Sequence, residues 1–556
     1  MGLIVPDERL SLHGKFSRLS ERMKDPQWRR YGRLLLAGKM LGVLLVIAAI
    51  AGWAYMQRAS TIYADGATSV PATAPATAPA AVEPKASDII NPLNTVWTLV
   101  AAFLVFGMQA GFTMLEAGFC RSRETVNVLV ECVFDTCLCG LLFWAFGYAF
   151  MFGAGNGIIG WHDPLDATAT WFFLKHITAS TMYNTTGIPI LAHWLFQFAF
   201  ADCASTICSG TMIGRTAFAG DILYSVCVSG FIYPIIGHWV WGPDGFLALM
   251  GSKDHFLESL GMNFHDFAGS TVVHSIGGWI ALAGGICLGP RLGRKFKRDG
   301  GGPMLPHDLT IAVCGGLILW FGWYGFNPGS TLSAMDFAGT ARVAANTTLA
   351  ACGGGMTAVY FMYFRTKKWD AAAITNGFLA GLVGITAPCY WVSPFGAVCI
   401  GMIAGIIVIL GVDLLEHLRI DDPIGAWPVH GLCGVWGTLA IGLFASGEYA
   451  AAGASNAGVP TIVQNSADSL RGLFYGGGTT VLIAQCVGSA IVCGATFAVA
   501  MTIFYALNAV KLLRISKEGE LEGMDLHEHG ISAYPEYVIS ALAAPSGMGR
   551  DQVNER

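Results

Sequence analysis

Charge is scarce in this chain. Asp, Glu, Lys and Arg make up 12% of its 556 residues, against roughly a quarter in an ordinary soluble domain. So deep a shortage excludes a water-soluble enzyme with a solvated charged shell. Metal and redox motifs are also missing. The 15 cysteines include no C-x-x-C pair, and none sits beside histidines at zinc spacing. Most, among them Cys137, Cys139, Cys208 and Cys399, fall inside apolar runs and read as small core residues. A third absence is local. Residues 153–189, 243–265 and 447–468 are nearly free of Lys and Arg, whereas the breaks between them are basic.

What fills the chain instead is apolar. Hydrophobic residues account for 54%. Apolar stretches of about 20 residues recur from Leu93 to Leu507, each long enough to cross a bilayer as a helix. A window reading gives about eleven of them. The fold class expected is therefore an all-α polytopic membrane protein. The 71 glycines suit helices that pack closely with no hydrophobic drive between them.

The chain divides by composition. Residues 1–39 are basic and amphipathic, and an apolar run follows over 40–57. That pair reads either as a signal peptide with a long n-region or as an uncleaved signal anchor. Residues 58–90 hold the VPATAPATAPAAVEP tract, an extended linker by composition. The transmembrane domain is expected over 91–510 and a cytoplasmic tail over 511–556. The basic breaks (Arg121 with Arg123, Arg215, 291–298, 365–368, 417–419, then Lys511 and Arg514) alternate with the Lys/Arg-poor ones. The positive-inside rule then puts residue 1 in the cytoplasm, the N-terminus of the core outside and the C-terminus inside.

Two distant stretches share one pattern. DFAGSTVVH from Asp266 and DPIGAWPVH from Asp422 both read D-x-x-G-x-x-x-V-H, and a glycine follows four residues after each histidine, Gly278 and Gly434. They fall in the fifth and tenth predicted spans. An odd number of crossings inverts direction, so the repeat is of inverted topology. Phe106-Gly107 with Gly111-Phe112, and Phe321-Gly322 with Gly325-Phe326, form a weaker second pair. The architecture expected is a five-plus-five inverted repeat with one extra helix.

Each histidine lies eight residues after its aspartate, roughly 12 Å along an α-helix. If Asp266 and Asp422 cap their helices near the interfaces, and Pro423 fills the first turn, both imidazoles reach the midplane from opposite sides. Ionisable groups at that depth mark a substrate path or a proton relay. Two facing imidazoles in an apolar lumen can pass a proton or bond a small uncharged nitrogen species. They suit a large or anionic solute poorly. The plainer alternative is a pair of core histidines bonding carbonyls. Aromatics crowd 196–200 (FQFAF) and 323–326 (WYGF). These are lipid-facing packing, or rings that attract small cations and close a narrow pore. Trp241, Phe200 and Ser330 fall near the predicted outer ends of spans four, three and six, where indole, ring and hydroxyl make a cation vestibule.

In seven ordered blocks the chain resembles the ammonium transporter family (Amt/Mep/Rh), and specifically its Amt branch. The blocks are GFTMLEAGFCRSRETVNVL from Gly111, FWAFGYAFMFG from Phe143, FQFAFADCASTICSG from Phe196, DFAGSTVVHSIGG from Asp266, GWYGFNPGST from Gly322, DDPIGAWPVHGLCGVWGT from Asp421 and EGMDLHEHGISAY from Glu522. The resemblance spans roughly 91–535. It implies an eleven-helix protomer, a homotrimer with one pore per subunit, and ammonium as substrate. It further implies an outer recruitment site at Trp241, Phe200 and Ser330, a stacked gate at Phe200 and Phe326, and a pore at His274 and His430 lined by Trp323. Asp266 resembles the aspartate that supports ammonium binding without touching it. Ammonium is then deprotonated at the gate and conducted past the histidines. A bacterial inner membrane and a PII-type signal protein as regulator are further implications. Two departures stand out. Asp202 is an acid among small residues of span three, and Gly214 precedes Arg215 where many members have glutamate.

Two other functions compete. A sensor that binds ammonium and signals through a partner uses the same residues; the tail of about 45 residues after the last span is too short for a fused signalling domain. A membrane enzyme using the histidines as metal ligands lacks a third histidine or clustered carboxylates at ligand spacing. No cofactor, metal, enzymatic activity or nucleic-acid partner is expected, only ammonium or ammonia and the surrounding lipid.

Overall fold

A computed structural model describes residues 86–183, 186–449 and 470–534. The basic segment 1–39, the apolar run 40–57, the Pro/Ala tract and the tail beyond 534 lie outside the described residues.

Nine helices among the described residues are long and apolar enough to cross a membrane. They are α1 (Ser87–Phe119), α2 (Thr125–Phe152), α3 (Ile190–Ser209), α4 (Phe218–Trp241), α5 (Ser270–Leu288), α6 (Leu309–Thr331), α9 (Pro394–Leu418), α10 (Trp427–Phe444) and α11 (Thr480–Ala509). Two more complete the bundle: α7 (Phe337–Thr366), long but less apolar, and the short apolar α8 (Ala371–Thr386). Two short helices in the tail, α12 (Lys517–Glu522) and α13 (Met524–His529), follow. The first helix starts at Ser87, inside the stretch expected to be linker. Asp88 in its first turn favours the helix start, and a hydropathy window is blind to that.

Caps set several of the remaining starts. Asp308, Asp336, Asp370 and Ser393 accept backbone N–H bonds at the heads of α6, α7, α8 and α9. Glycines set the crossings. A Cβ on Gly118 would fall 2.4 Å from Ala312 N, and one on Gly315 would fall 2.4 Å from Leu115 N, so α1 and α6 touch backbone to backbone. Large apolar side chains point outward instead, such as Val96 and Phe103 on α1, each 60% exposed. A bilayer tolerates such a surface; water does not. The described part is thus an eleven-helix integral membrane protein. Between α2 and α3 lies a small antiparallel sheet, β1 (Ala154–Gly155), β2 (Gly160–Asp163) and β3 (Asp166–Thr170), in that order.

One expectation needs correcting. The histidines do not sit on regular α-helix: Ser270–Ser275 and Trp427–Leu432 are π-helical, each at the start of its span. The backbone N–H of His274 reaches the Gly269 carbonyl at 3.0 Å, an i→i−5 bond, so the 12 Å α-helical estimate does not apply. π-turns of this kind concentrate where function needs a side chain re-aimed.

Candidate functional site

The repeated motif can be read residue by residue. Asp266 accepts N–H bonds from Gly269, Thr271 and Val272 at 2.8–2.9 Å. Asp422 accepts from Gly425, Ala426 and Trp427 at 3.0–3.1 Å. The glycine three residues on carries positive φ in both copies, 114° at Gly269 and 81° at Gly425, a conformation other residues resist. The glycine four residues after each histidine serves the crossing. A Cβ on Gly278 would lie 2.2 Å from Gly431 N, and one on Gly434 would lie 2.5 Å from Ser275 Oγ. Gly431 and Ser275 are the residues immediately after the two histidines. Each half-site glycine therefore makes room for the residue that follows the other histidine, as a twofold requires.

That crossing brings the imidazoles together. His274 Nδ1 and His430 Nδ1 are 3.2 Å apart, with rings 5.3 Å centre to centre and tilted by 26°. Both are buried, His274 at 1% exposure. One Nδ1 must carry the proton that the other accepts. The neutral pair therefore offers one Nε2 as acceptor and the other as N–H donor. Nε2 of His274 has no partner among the described residues. The core-histidine alternative, with each ring bonded to a carbonyl, is not what the geometry gives.

Aromatic rings continue the line. Trp323 stacks on His274 at 5.1 Å and is pinned by its indole N–H to Thr386 Oγ1 at 2.9 Å. Phe326 lies 5.4 Å from His274 and 5.6 Å from Trp323, so the three rings cluster, and it stacks on Phe200 at 4.0 Å. Beyond that stack, Trp241 meets Phe200 edge-on at 6.2 Å. Its indole N–H donates to the Asp266 carbonyl at 2.8 Å, so Asp266 fixes the helix start and the tryptophan together. Ser330 Oγ donates to the Phe326 carbonyl at 2.8 Å, leaving its lone pairs free to accept. Phe200, Trp241 and Ser330, with Phe196, Gln197, Phe267 and Leu332, enclose a recess of about 10 Å³. That is room for a single water-sized species. The eight residues proposed from sequence are thus joined by contacts running from Trp241 to His430, with Asp266 behind Trp241. Phe267 and Leu332 were missed; neither lies at a motif position that differs from ordinary packing.

A match to the model of the ammonium transporter family covers residues 96–534. The chain belongs to the ammonium transporter family. Its relatives include ammonium transporter Amt2 of Archaeoglobus fulgidus, 41% identical over 461 residues, which covers 82% of this chain and 91% of that protein. Ammonium transporter 1 member 1 of Arabidopsis thaliana is 37% identical, covering 76% and 81%. Among solved structures, a sensor Amt protein matches with TM-score 0.67 and 35% identity, over 80% of this chain and 99% of that one. Saccharomyces cerevisiae Mep2 matches with TM-score 0.65 and 27% identity, over 77% and 88%.

Gly214 and Asp202 each sit in a distinctive setting. Gly214 adopts φ +82°, and a Cβ there would fall 2.7 Å from Glu124 Oε1. The Glu124 carboxylate, paired with Arg121, occupies that space from the neighbouring loop. Asp202 is fully buried, and neither carboxylate oxygen has a hydrogen-bond partner among the described residues.

Proposed function

We propose that this transporter recruits ammonium from outside at Trp241, Phe200 and Ser330, strips one proton at the Phe200–Phe326 gate, and conducts the nitrogen species past His274 and His430. The observation that carries this reading is the sequence of surfaces along one line. A recess for one small species leads to a ring stack, and the stack leads to a bonded imidazole pair. An indole face and a serine lone pair suit a cation. Beneath the gate, the Nε2 acceptor and the Nε2–H donor suit a neutral amine, which has both a lone pair and N–H groups. Asp266 adds negative charge below the recess while its oxygens stay committed to backbone N–H groups. The proton travels separately along the histidine pair, so transport is electrogenic.

The remaining parts of the reading are a homotrimer with one pore per protomer, a bacterial inner membrane, an outer N-terminus for the core, a cytoplasmic C-terminus, and regulation by a PII-type protein. A sensor role deserves a place beside transport, because the sensor Amt protein is matched over 99% of its length. Ammonium flux into proteoliposomes tests recruitment. Trp241→Leu should raise the half-saturating ammonium concentration about threefold or more, the worth of one cation–π contact, with little change in maximal flux. An unchanged half-saturation would remove Trp241 from the recruitment site. Wild-type protein that binds ammonium without moving it would favour the sensor.

A further inference from the structure

Three carboxylates that the conduction path does not use lie together between α2 and α4. Glu131 and Asp135 are four residues apart on α2, the spacing that puts both on one helix face, and Asp221 comes from the first turn of α4. One oxygen of each lies within 4.8 Å of the other two, and all three residues are buried, Glu131 the most exposed at 5%. The Tyr224 hydroxyl donates to Glu131 Oε1 at 3.4 Å, and Asn127 Nδ2 donates to Glu131 Oε2 at 3.2 Å.

A second observation is independent of the number of acids. Neither oxygen of Asp221 makes a well-formed hydrogen bond among the described residues, with only Tyr224 and the Glu131 carboxyl beside it. The Ser225 hydroxyl, fully buried and one turn along the same face of α4, makes none either and faces the Asp135 carboxylate. The described ion pairs all involve other acids. Uncompensated carboxylates inside a membrane protein are costly, so their charge is neutralised either by protons or by a bound cation. The unpaired groups there are all oxygens, carboxylate and hydroxyl, which is the donor set of a hard cation. Mg²⁺ dehydrates reluctantly and is seldom held by an all-protein cage, whereas Ca²⁺ takes several carboxylates in flexible geometry, so three buried protein carboxylates suit the larger ion.

The end of the site is covered by the tail. Asn127, which bonds Glu131, donates its backbone N–H to Asp525 Oδ1 at 3.0 Å, and its side-chain oxygen meets His529 Nε2 at 3.0 Å. We propose that Glu131, Asp135 and Asp221 bind a hard divalent cation of calcium's size away from the conduction path, with α13 seated over the end of the site.

Equilibrium dialysis of chelator-treated full-length protein against radioactive Ca²⁺ tests this, with thermal midpoints recorded in parallel. Wild type should bind one Ca²⁺ per protomer and melt higher in its presence. Asp221→Asn should weaken binding at least about tenfold. Should Asp221→Asn fail to fold, Ser225→Ala takes its place and should weaken binding several-fold. Absence of saturable Ca²⁺ binding to wild type would overturn the proposal and leave the cluster neutralised by protons alone. Binding left unchanged by the substitutions would overturn it equally.

Discussion

At the scale of single residues, two glycines carry as much of the site as the histidines do. Gly278 lets the backbone after His430 approach, and any side chain there meets Gly431 N at 2.2 Å rather than a movable side-chain tip. Gly278→Ala should therefore lower stability by about 2 kcal/mol or more and spread the imidazole pair. Gly494 in α11, with nothing within 4 Å of its Cβ position, is the control. There alanine should be neutral or gain up to about 1 kcal/mol from helix propensity. Thermal unfolding of both variants in detergent separates the two cases; equal shifts would mean that the crossing tolerates a methyl group. The sequence revealed both glycines by repetition alone. Their reason, the reciprocal seating of Gly278 and Gly434 on the residues after the opposing histidines, depends on a crossing that a linear pattern cannot display.

At the scale of elements, the junction between α9 and α10 is held by charge. Arg291 makes two side-chain bonds to the Asp421 carboxylate, at 2.8 and 3.0 Å, and Arg215 bonds the Asp421 carbonyl at 2.7 Å. Burial pushes the Asp421 carboxyl up, but the Arg291 bonds and the charge of Arg215 outweigh it and hold the group well below the usual carboxylate range. Unfolded, the same carboxyl titrates near 3.9. Its stabilisation is thus complete above about pH 5, shrinks as pH falls below about 3.9, and vanishes once the folded carboxyl itself takes a proton. Asp421→Asn should cost about 3–5 kcal/mol at pH 7, because it strands a buried arginine. The gap between variant and wild type, followed by thermal midpoint, should narrow as pH drops toward 3.5. A gap independent of pH would mean the carboxylate charge is not what locks the junction. The helices themselves were largely legible in sequence: long apolar runs gave their number, and Asp266 and Asp422 gave two of the starts. The π-helical turns were not: a glycine of positive φ, Gly269 or Gly425, precedes each, and hydropathy is indifferent to backbone conformation.

At the scale of the whole molecule, the inverted repeat was readable because it is written twice. The proposed path was legible too, since Trp241, Phe200, Phe326, Trp323 and the histidines each stand in a distinctive motif. The acidic cluster escaped notice for the opposite reason. Glu131 and Asp135 share a helix, but Asp221 is remote in sequence, and only the packing of α2 against α4 unites them. The same holds for Glu124, whose carboxylate fills the space beside Gly214 from another loop. Contacts of this kind join segments whose separate patterns are ordinary. The central claim is conduction through the twin-histidine pair, and ammonium-evoked current on reconstituted wild type, His274→Ala and His430→Ala tests it most directly. The account predicts a current in wild type that either substitution abolishes or strips of its ammonium selectivity. A full, ammonium-selective current in both variants would contradict it.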